Sequence, residues 1–377
     1  MAIEKCETFT ADNVSIVRVT TSNGDSGFGQ MAPPGTHDHP GLNEITVATF
    51  HRLIAPRALG EAADDIGHLI DEIMRATYKY PGTFALRALC GLDTALWDLK
   101  GRREGASVCE LLGGPSNPDP VAAYGSRPSR ETTPEEEVEI CTTYADKLGL
   151  EAFKLKIGKR LSYDELSDPS KRTEPVVHEF RNVFGTDREL MVDANGAYSP
   201  KDAIEVGKKV LEPNDVILFE EPCPYWEFEW MKEVTESLEV TVSGGEQNNL
   251  LGQWGKQWER IIGNRIIDVV QPDIGYVGGI ERTKRIANLA SEAGLSIVPH
   301  APTHSMQKVF TLHLIAAVDN AGLYPFEYQI PVSSYEGLYD PEPHVVDGEI
   351  AVPSGSGWGV EVNESWLERA QYAISEI

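Results

Sequence analysis

Positive charge is scarce in this chain. It has 33 lysines and arginines against 59 aspartates and glutamates in 377 residues, a formal charge of −26. A polyphosphate backbone is gripped by clustered Lys and Arg, so nucleic acid is excluded as an expected partner. Cysteine is scarce as well. Cys6, Cys90, Cys109, Cys141 and Cys223 are scattered, odd in number and form no Cys-x-x-Cys pair. That excludes a disulfide framework and a zinc–thiolate cluster, and makes a reducing cytoplasm the expected compartment. No apolar run has the length of a membrane span. Met1 to Thr8 carries Glu4, Lys5 and Glu7 where a signal peptide would have its apolar core, so no membrane partner is expected.

The rest of the composition, 41% hydrophobic and 8% aromatic, is that of an ordinary globular protein with a sizeable core. The length exceeds one typical domain, and a barrel of roughly 250 residues with a smaller companion accounts for it. The acidic excess has two readings that composition leaves open. One is a solvated face; the other is a salt-adapted surface whose self-repulsion screening relieves. Val14 to Thr20 alternates apolar and polar residues, Ser22-Asn23-Gly24-Asp25 supplies a turn, and Gly27-Phe28-Gly29-Gln30 ends a second strand, so the chain begins as a short sheet. Helical stretches follow at Glu44 to Ile54, Ile66 to Thr77 and Ala85 to Lys100, the last with Leu86, Leu89, Leu92, Leu96 and Leu99 at the spacing of a buried stripe. Leu111-Leu112-Gly113-Gly114-Pro115 stops the helix and opens a Pro-rich link, which ends a first domain at residues 1–118.

From there, eight short apolar runs each end in polar groups. Val121 runs to Ser126, and Ala152 to Ile157 carries Lys154 and Lys156. Leu190 to Val192 ends in Asp193, Val216 to Phe219 in Glu220, and Val240 to Ser243 leads to Glu246. Ile266 to Val270 leads to Asp273, Leu295 to Pro299 ends in His300, and Leu323 to Phe326 ends in Glu327. Helical candidates lie between them at Pro134 to Leu148, Pro200 to Leu211, Gly279 to Ala293 and Gln307 to Val318. Alternating strand and helix signals predict a parallel sheet. Closure into a TIM-like barrel over residues 119–330 brings the eight strand ends to one mouth, where catalytic groups of such barrels gather.

The groups at that mouth have a coherent chemistry. Asp193, Glu220 and Glu246 form an all-oxygen set suited to a hard divalent cation with open positions, Mg2+ being the natural choice. Any one of them alone would read as a surface acid; three at successive strand ends read as ligands. Lys154 and Lys156, two apart on a strand, share one face. Beside a dication, at least one of the pair is expected to have a lowered pKa and to act as a base. A Lys pair on an exposed edge strand is the bland alternative, which Phe153, Leu155 and Ile157 disfavour. His300 and Asp273, on neighbouring strand ends, can form a dyad in which the carboxylate fixes the imidazole tautomer. Glu327 completes the ring as a hydrogen-bond donor if protonated, or as a salt-bridging acid.

With these residues in this order, the chain resembles the enolase superfamily and, within it, the mandelate racemase subgroup. The matching features are Lys154-Leu155-Lys156, the trio Asp193, Glu220 and Glu246, the pair Asp273 and His300, and Glu327, with Ala85 to Lys100 and Leu111-Leu112-Gly113-Gly114 similar to the hallmark of the first domain. The resemblance implies an α/β fold, a (β/α)7β barrel with an α+β capping domain, and the return of residues 331–377, including Gly348 to Val352 and a last helix Ser365 to Ile374, to that cap. It implies a magnesium-bound carboxylate substrate whose α proton is removed through a metal-stabilised enediolate, with Lys156 working on one face and His300 on the other. It also implies that Asn195 and Gln247 sit near the substrate.

The chain departs from the family where a mobile loop normally covers the substrate, since Phe9 to Asn13 leaves almost nothing for it. Specificity is expected instead from Met31 to Pro40, with His37 and His39, from Tyr78 to Thr83, and from the stretch holding Thr303, His304 and an exposed, substrate-binding Tyr328. The leading expectation is a sugar-acid dehydratase, a lyase acting on a small carboxylate in a homo-oligomer. A racemase or epimerase, a lactone cycloisomerase and a non-catalytic sugar-acid binding protein are the alternatives. A dinucleotide-binding reading fails, because Gly275-Tyr276-Val277-Gly278-Gly279 lacks the phosphate-binding spacing.

Overall fold

Two glycines set how the first sheet is covered. In the computed structural model, which describes residues 1–32, 41–80, 82–161, 171–252, 255–332, 335 and 337–377, strands β1 (Ile3–Ala11), β2 (Val14–Thr21) and β3 (Ser26–Met31) form an antiparallel meander. Asp12 and Asn13, with φ of 52° and 62°, make the two-residue turn between β1 and β2, a turn that needs left-handed backbone at both positions. The helix Thr83–Glu104 lies directly on β3: a Cβ on Gly27 would overlap the backbone of Leu99, and one on Gly29 that of Ala95. Asp98 of this helix accepts hydrogen bonds from the Phe28 N–H (2.8 Å), the Trp358 N–H (3.0 Å) and Arg102 Nε (2.7 Å), tying sheet, helix and C-terminal segment together.

The second unit is a barrel of eight parallel strands: β4 (Val121–Ser126), β5 (Ala152–Lys156), β6 (Glu189–Asp193), β7 (Val216–Glu220), β8 (Thr241–Gly244), β9 (Val269–Val270), β10 (Ser296–Ile297) and β11 (Phe326–Gln329). Neighbours pair in chain order from β4 to β10, and β11 returns to pair with β4. Among the described residues each of the seven gaps between consecutive strands holds one principal helix, beginning at Pro134, Thr173, Pro200, Phe228, Gln257, Ile280 and Met306, and a one-turn helix Ile274–Val277 precedes the sixth, which makes the (β/α)7β barrel. Alternation along each strand does two jobs. Phe153, Leu155, Val192, Phe219 and Val242 face the helices in the main core, whereas Tyr124, Ala152, Met191, Leu218, Val269 and Val298 pack together as a separate apolar floor inside the barrel. Two residues beyond each floor position stand Ser126, Lys154, Asp193, Glu220, Gln271 and His300, which places polar groups above an apolar floor.

The end of the chain differs from the expectation in two places. Glu349–Ile350 pairs with the start of β4 in the barrel, not with the cap. The expected last helix is only Glu364–Arg369, and Gln371–Glu376 is a strand antiparallel to β1. The open edge of β1 offers six residues of ladder pairing, which draws the end of the chain into the sheet instead. All five cysteines are free and buried. Among the described residues no helix is long and apolar enough to cross a membrane.

Candidate active site

Lys154, Lys156 and His300 are paired with different carboxylates. Lys154 is 1% exposed; its Nζ donates to both oxygens of Glu220 (2.9 and 2.7 Å) and lies 3.1 Å from Glu327 Oε1. Lys156 donates to Asp193 Oδ2 and to Asn195 Oδ1 (3.0 Å). His300 places Nδ1 2.7 Å from Asp273 Oδ2 and Nε2 2.9 Å from Glu246 Oε2. The structure therefore brings all eight expected catalytic and metal-binding residues to one mouth. Lys156, Glu246 and His300, 11–13% exposed, are the members open to it.

The electrostatics follow from this pairing. Burial would lower the Lys154 pKa, but Glu220 and then Glu327 outweigh it and hold the ammonium well above its ordinary range, so Lys154 is a fixed cation and not a base. Burial raises Glu220, and Lys154 offsets this only in part against Asp193 and Glu327, leaving it at about 7. Asp193, which burial would raise, is held well below the usual carboxylate range by Lys156, Lys154 and Arg130. Glu246, also raised by burial alone, is brought to about 2 by His300. Glu327 is likewise at about 2: Lys154 and His300 overcome its burial, and it accepts from the Ala301 N–H (2.9 Å) and Ser126 Oγ (2.7 Å), which makes it the salt-bridging acid of the two alternatives. His300 is raised well above 6.5, because Glu246 and Glu327 outweigh a burial that lowers it.

Asn195 and Gln247 are at the mouth, holding its charged groups. Asn195 Oδ1 accepts from Lys156 and Arg130 Nη2 (3.0 Å), and its Nδ2 donates to Asp193 Oδ2 (3.2 Å). Gln247 Nε2 donates to Glu246 Oε1 (3.2 Å). Tyr328 departs from the expectation. It is 2% exposed and packs in the core against His304, ring centroids 4.6 Å apart. It follows Glu327 on β11, and adjacent strand residues point to opposite faces, so its ring faces away from the lumen. His37 and His39 lie outside the described residues, as does Pro81 of the 78–83 stretch.

Sequence reasoning missed four members. Arg130, on the loop after β4, bridges the Ile157 and Asp193 carbonyls and Asn195, and nothing local marks it. Gln271 donates to Glu220 Oε2 (2.7 Å); its place, two residues beyond the floor position Val269, was a usable signal. Ser126 was visible only as a strand end. Glu221, next to Glu220, is buried with Oε1 unpartnered, and burial followed by Glu246, Asp193 and Glu220 pushes its carboxyl well up.

Among the described residues no three side chains stand in ligating geometry around one point, because the carboxylates turn to the bases instead. The donor set nevertheless fits a hard dication. Six carboxyl groups (Asp193, Glu220, Glu221, Glu246, Asp273 and Glu327) face Lys154, Lys156, Arg130 and His300, and the oxygens of Ser243, Gln271 and Glu221 include buried unpartnered atoms. A surplus of buried carboxyl groups over cations, with Glu220 and Glu221 raised toward protonation by burial for want of countercharge, is what an oxygen-liganded cation relieves.

Comparison with known proteins agrees with this geometry. Residues 3–113 match the mandelate racemase/muconate lactonizing enzyme N-terminal domain, and residues 136–366 match the enolase C-terminal domain-like family. The chain is 26% identical over 352 residues to the arabinonate dehydratase of Saccharolobus solfataricus, covering 93% of this chain and 88% of that protein. It is 30% identical over 295 residues to the D-galactarolactone cycloisomerase of Agrobacterium fabrum, covering 75% and 73%. A crystal structure from Roseobacter denitrificans, described as a suspected racemase, superimposes over 100% of both chains with TM-score 0.92 at 40% identity. A mandelate racemase/muconate lactonizing protein of Paracoccus denitrificans, solved with magnesium, superimposes over 100% of this chain and 99% of its own with TM-score 0.85 at 27% identity. The chain belongs to the enolase superfamily, in its mandelate racemase/muconate lactonizing enzyme group.

Proposed function

We propose that this protein is a metal-dependent lyase that dehydrates a sugar acid to a 2-keto-3-deoxy acid, working as a cytoplasmic homo-oligomer. The observation that carries the reading is the pair of bases. Lys156 ends β5 and His300 follows β10, three strands away by the shorter way round the eight-stranded ring, so they face one another across the carboxylates of Asp193 and Glu246. A substrate between them presents its α hydrogen to one and its β hydroxyl to the other.

Asp193, Glu220 and Glu246 would hold Mg2+. When bound, the ion supplies positive charge beside the substrate carboxylate, where a second negative charge develops as the α C–H bond breaks. The chain's own groups do the rest. Lys154, cationic and anchored by Glu220 and Glu327, adds fixed positive charge at the same end. One base of the facing pair takes the α proton, and the C–H electron pair becomes the enediolate double bond. Its collapse expels the β hydroxyl, which leaves as water with a proton from His300, and the enol takes up a proton to give the 2-keto product. Asp273, on Nδ1, keeps the His300 tautomer and aim fixed through the cycle.

Dehydratases recur among the relatives over nearly the whole chain, at 26–27% identity, which favours elimination. The same two-base geometry also serves a racemase or epimerase, and this is the second reading. Incubating the protein and Mg2+ with a library of sugar acids in deuterium oxide separates the two. Keto product that disappears in Lys156→Ala and His300→Asn supports the lyase, whereas α-deuterium incorporation without keto product supports the epimerase. Neither signal from any sugar acid would reject the reading.

A further inference from the structure

The wall of the mouth nearest the cap holds a stack that the chemistry above does not use. Tyr276 lies on the one-turn helix Ile274–Val277, which begins at Asp273 and ends at Gly278. Its backbone N–H donates to Asp273 Oδ1 (3.0 Å), while Asp273 Oδ2 holds His300 Nδ1 (2.7 Å). The Tyr276 ring stands 5.8 Å from the His300 ring, centroid to centroid, at a tilt of 55°. Over the same ring, 3.7 Å from its centroid, lies the guanidinium of Arg87. Arg87 belongs to the capping helix Thr83–Glu104 and is 4% exposed, so this cation–π contact is shielded from water.

A four-residue helix has too few internal hydrogen bonds to hold itself in place. What surrounds it must fix it, and the cap does so at several points. Ala32 closes against Gly275, where a Cβ would overlap it, and Leu86 sits beside Gly278. Asp93 accepts from the N–H groups of Ile280 (2.6 Å) and Glu281 (3.3 Å), fixing the start of the next helix. His300 is held at Nδ1 by Asp273 and at Nε2 by Glu246 (2.9 Å), contacts at opposite corners of the ring that set its aim but leave its plane to tilt about the line between them; a neighbouring ring removes that freedom. We propose that Tyr276 is a positioning residue for His300, clamped by Arg87, so that the seating of the capping unit sets the alignment of this base. The proposal rests on His300 being a base in the reaction above; its structural half stands without that reaction.

The test has two arms. In the full chain saturated with Mg2+, the proton shared by His300 Nδ1 and Asp273 is observed by NMR and assigned by its loss in His300→Asn. It is expected to be sharp and slowly exchanging in the wild type and in Tyr276→Phe, which keeps the ring. It should be lost to exchange in Tyr276→Leu and Arg87→Met, and partly kept in Arg87→Lys. Survival of the proton in both Tyr276→Leu and Arg87→Met, with folding checked by circular dichroism, overturns the proposal and leaves the stack as interdomain packing. In the second arm, on a sugar acid that the wild type dehydrates, Tyr276→Leu should lower kcat by roughly 10²-fold, the scale of a misplaced catalytic group, with little change in KM. A fall in KM affinity at unchanged kcat would also overturn it. Should the wild type dehydrate no sugar acid, the lyase reading fails while the first arm still decides the positioning role.

Discussion

His313 should make the stability of this protein fall steeply in mild acid. The residue is fully buried on the helix Met306–Ala317. Its Nδ1 accepts from the Cys109 N–H (3.1 Å), and its Nε2 lies 3.0 Å from the Trp358 carbonyl, so the ring joins three distant segments as the neutral Nε2–H tautomer. A second proton would set N–H against N–H at Cys109. Burial lowers its pKa from the ordinary 6.5 to about 4, against a smaller upward pull from the Trp358 carbonyl. The folded value is the lower one, so the unfolded chain binds the proton more readily, and stability is lost as the pH falls from about 6.5 toward about 4. At about 1.4 kcal/mol per pH unit, the full loss is about 3 kcal/mol and about 2 kcal/mol of it is gone at pH 5. Urea denaturation followed by tryptophan fluorescence at pH 7.5 and pH 5.0, in the wild type and in His313→Gln, measures it. The wild type should lose about 2 kcal/mol more than the variant between the two pH values. His51 and His304, also lowered by burial, titrate in both proteins and cancel. Equal losses would refute the assignment of this acid sensitivity to His313.

Other expectations follow from the same contacts. Chelation should abolish turnover and lower the melting temperature, with Mg2+ restoring both, because the surplus of mouth carboxylates is then unneutralised; full activity in excess chelator would remove the metal from the reading. Asp98→Ala should cost about 2–4 kcal/mol, since it strands the N–H groups of Phe28 and Trp358 and takes from Arg102 one of its two carboxylate partners, Glu361 remaining; a loss under about 1 kcal/mol by chemical denaturation would contradict this. With a formal charge of −26, stability in chelator should rise between 0.01 M and 1 M NaCl, as the screening length falls from roughly 30 Å to roughly 3 Å. A flat or falling melting temperature over that range would return the acidic surface to a solvated face.

The eight strand-end groups could be read from the sequence because a parallel barrel repeats one local pattern. Each apolar run supplies a strand, and the residue two beyond a floor position must face the mouth, so Asp193, Glu220 and His300 follow from Met191, Leu218 and Val298. Asp273 belongs to the same group but already caps the next helix. Strand parity could also have placed Tyr328, which alternates with Glu327 and so faces away from the lumen. Arg130 could not be read this way, because it sits on a loop and reaches Asn195 only once β4, β5 and β6 are side by side.

The expected last helix, Ser365 to Ile374, failed in its second half, where Gln371–Glu376, with Tyr372 and Ile374 two apart, lies against the open edge of β1, more than 360 residues earlier in the chain. Strand period and apolar runs are local properties, and they were enough to read the barrel's strands, four of its principal helices and the groups at its strand ends, but not the helices Thr173–Phe184, Phe228–Ser237 and Gln257–Gly263. Which base pairs with which carboxylate, that Lys154 is a fixed cation, and that Arg87 of the cap reaches Tyr276 beside His300 were set by long-range packing. Those contacts join residues far apart in the chain, and their energies depend on a burial that no local segment contains.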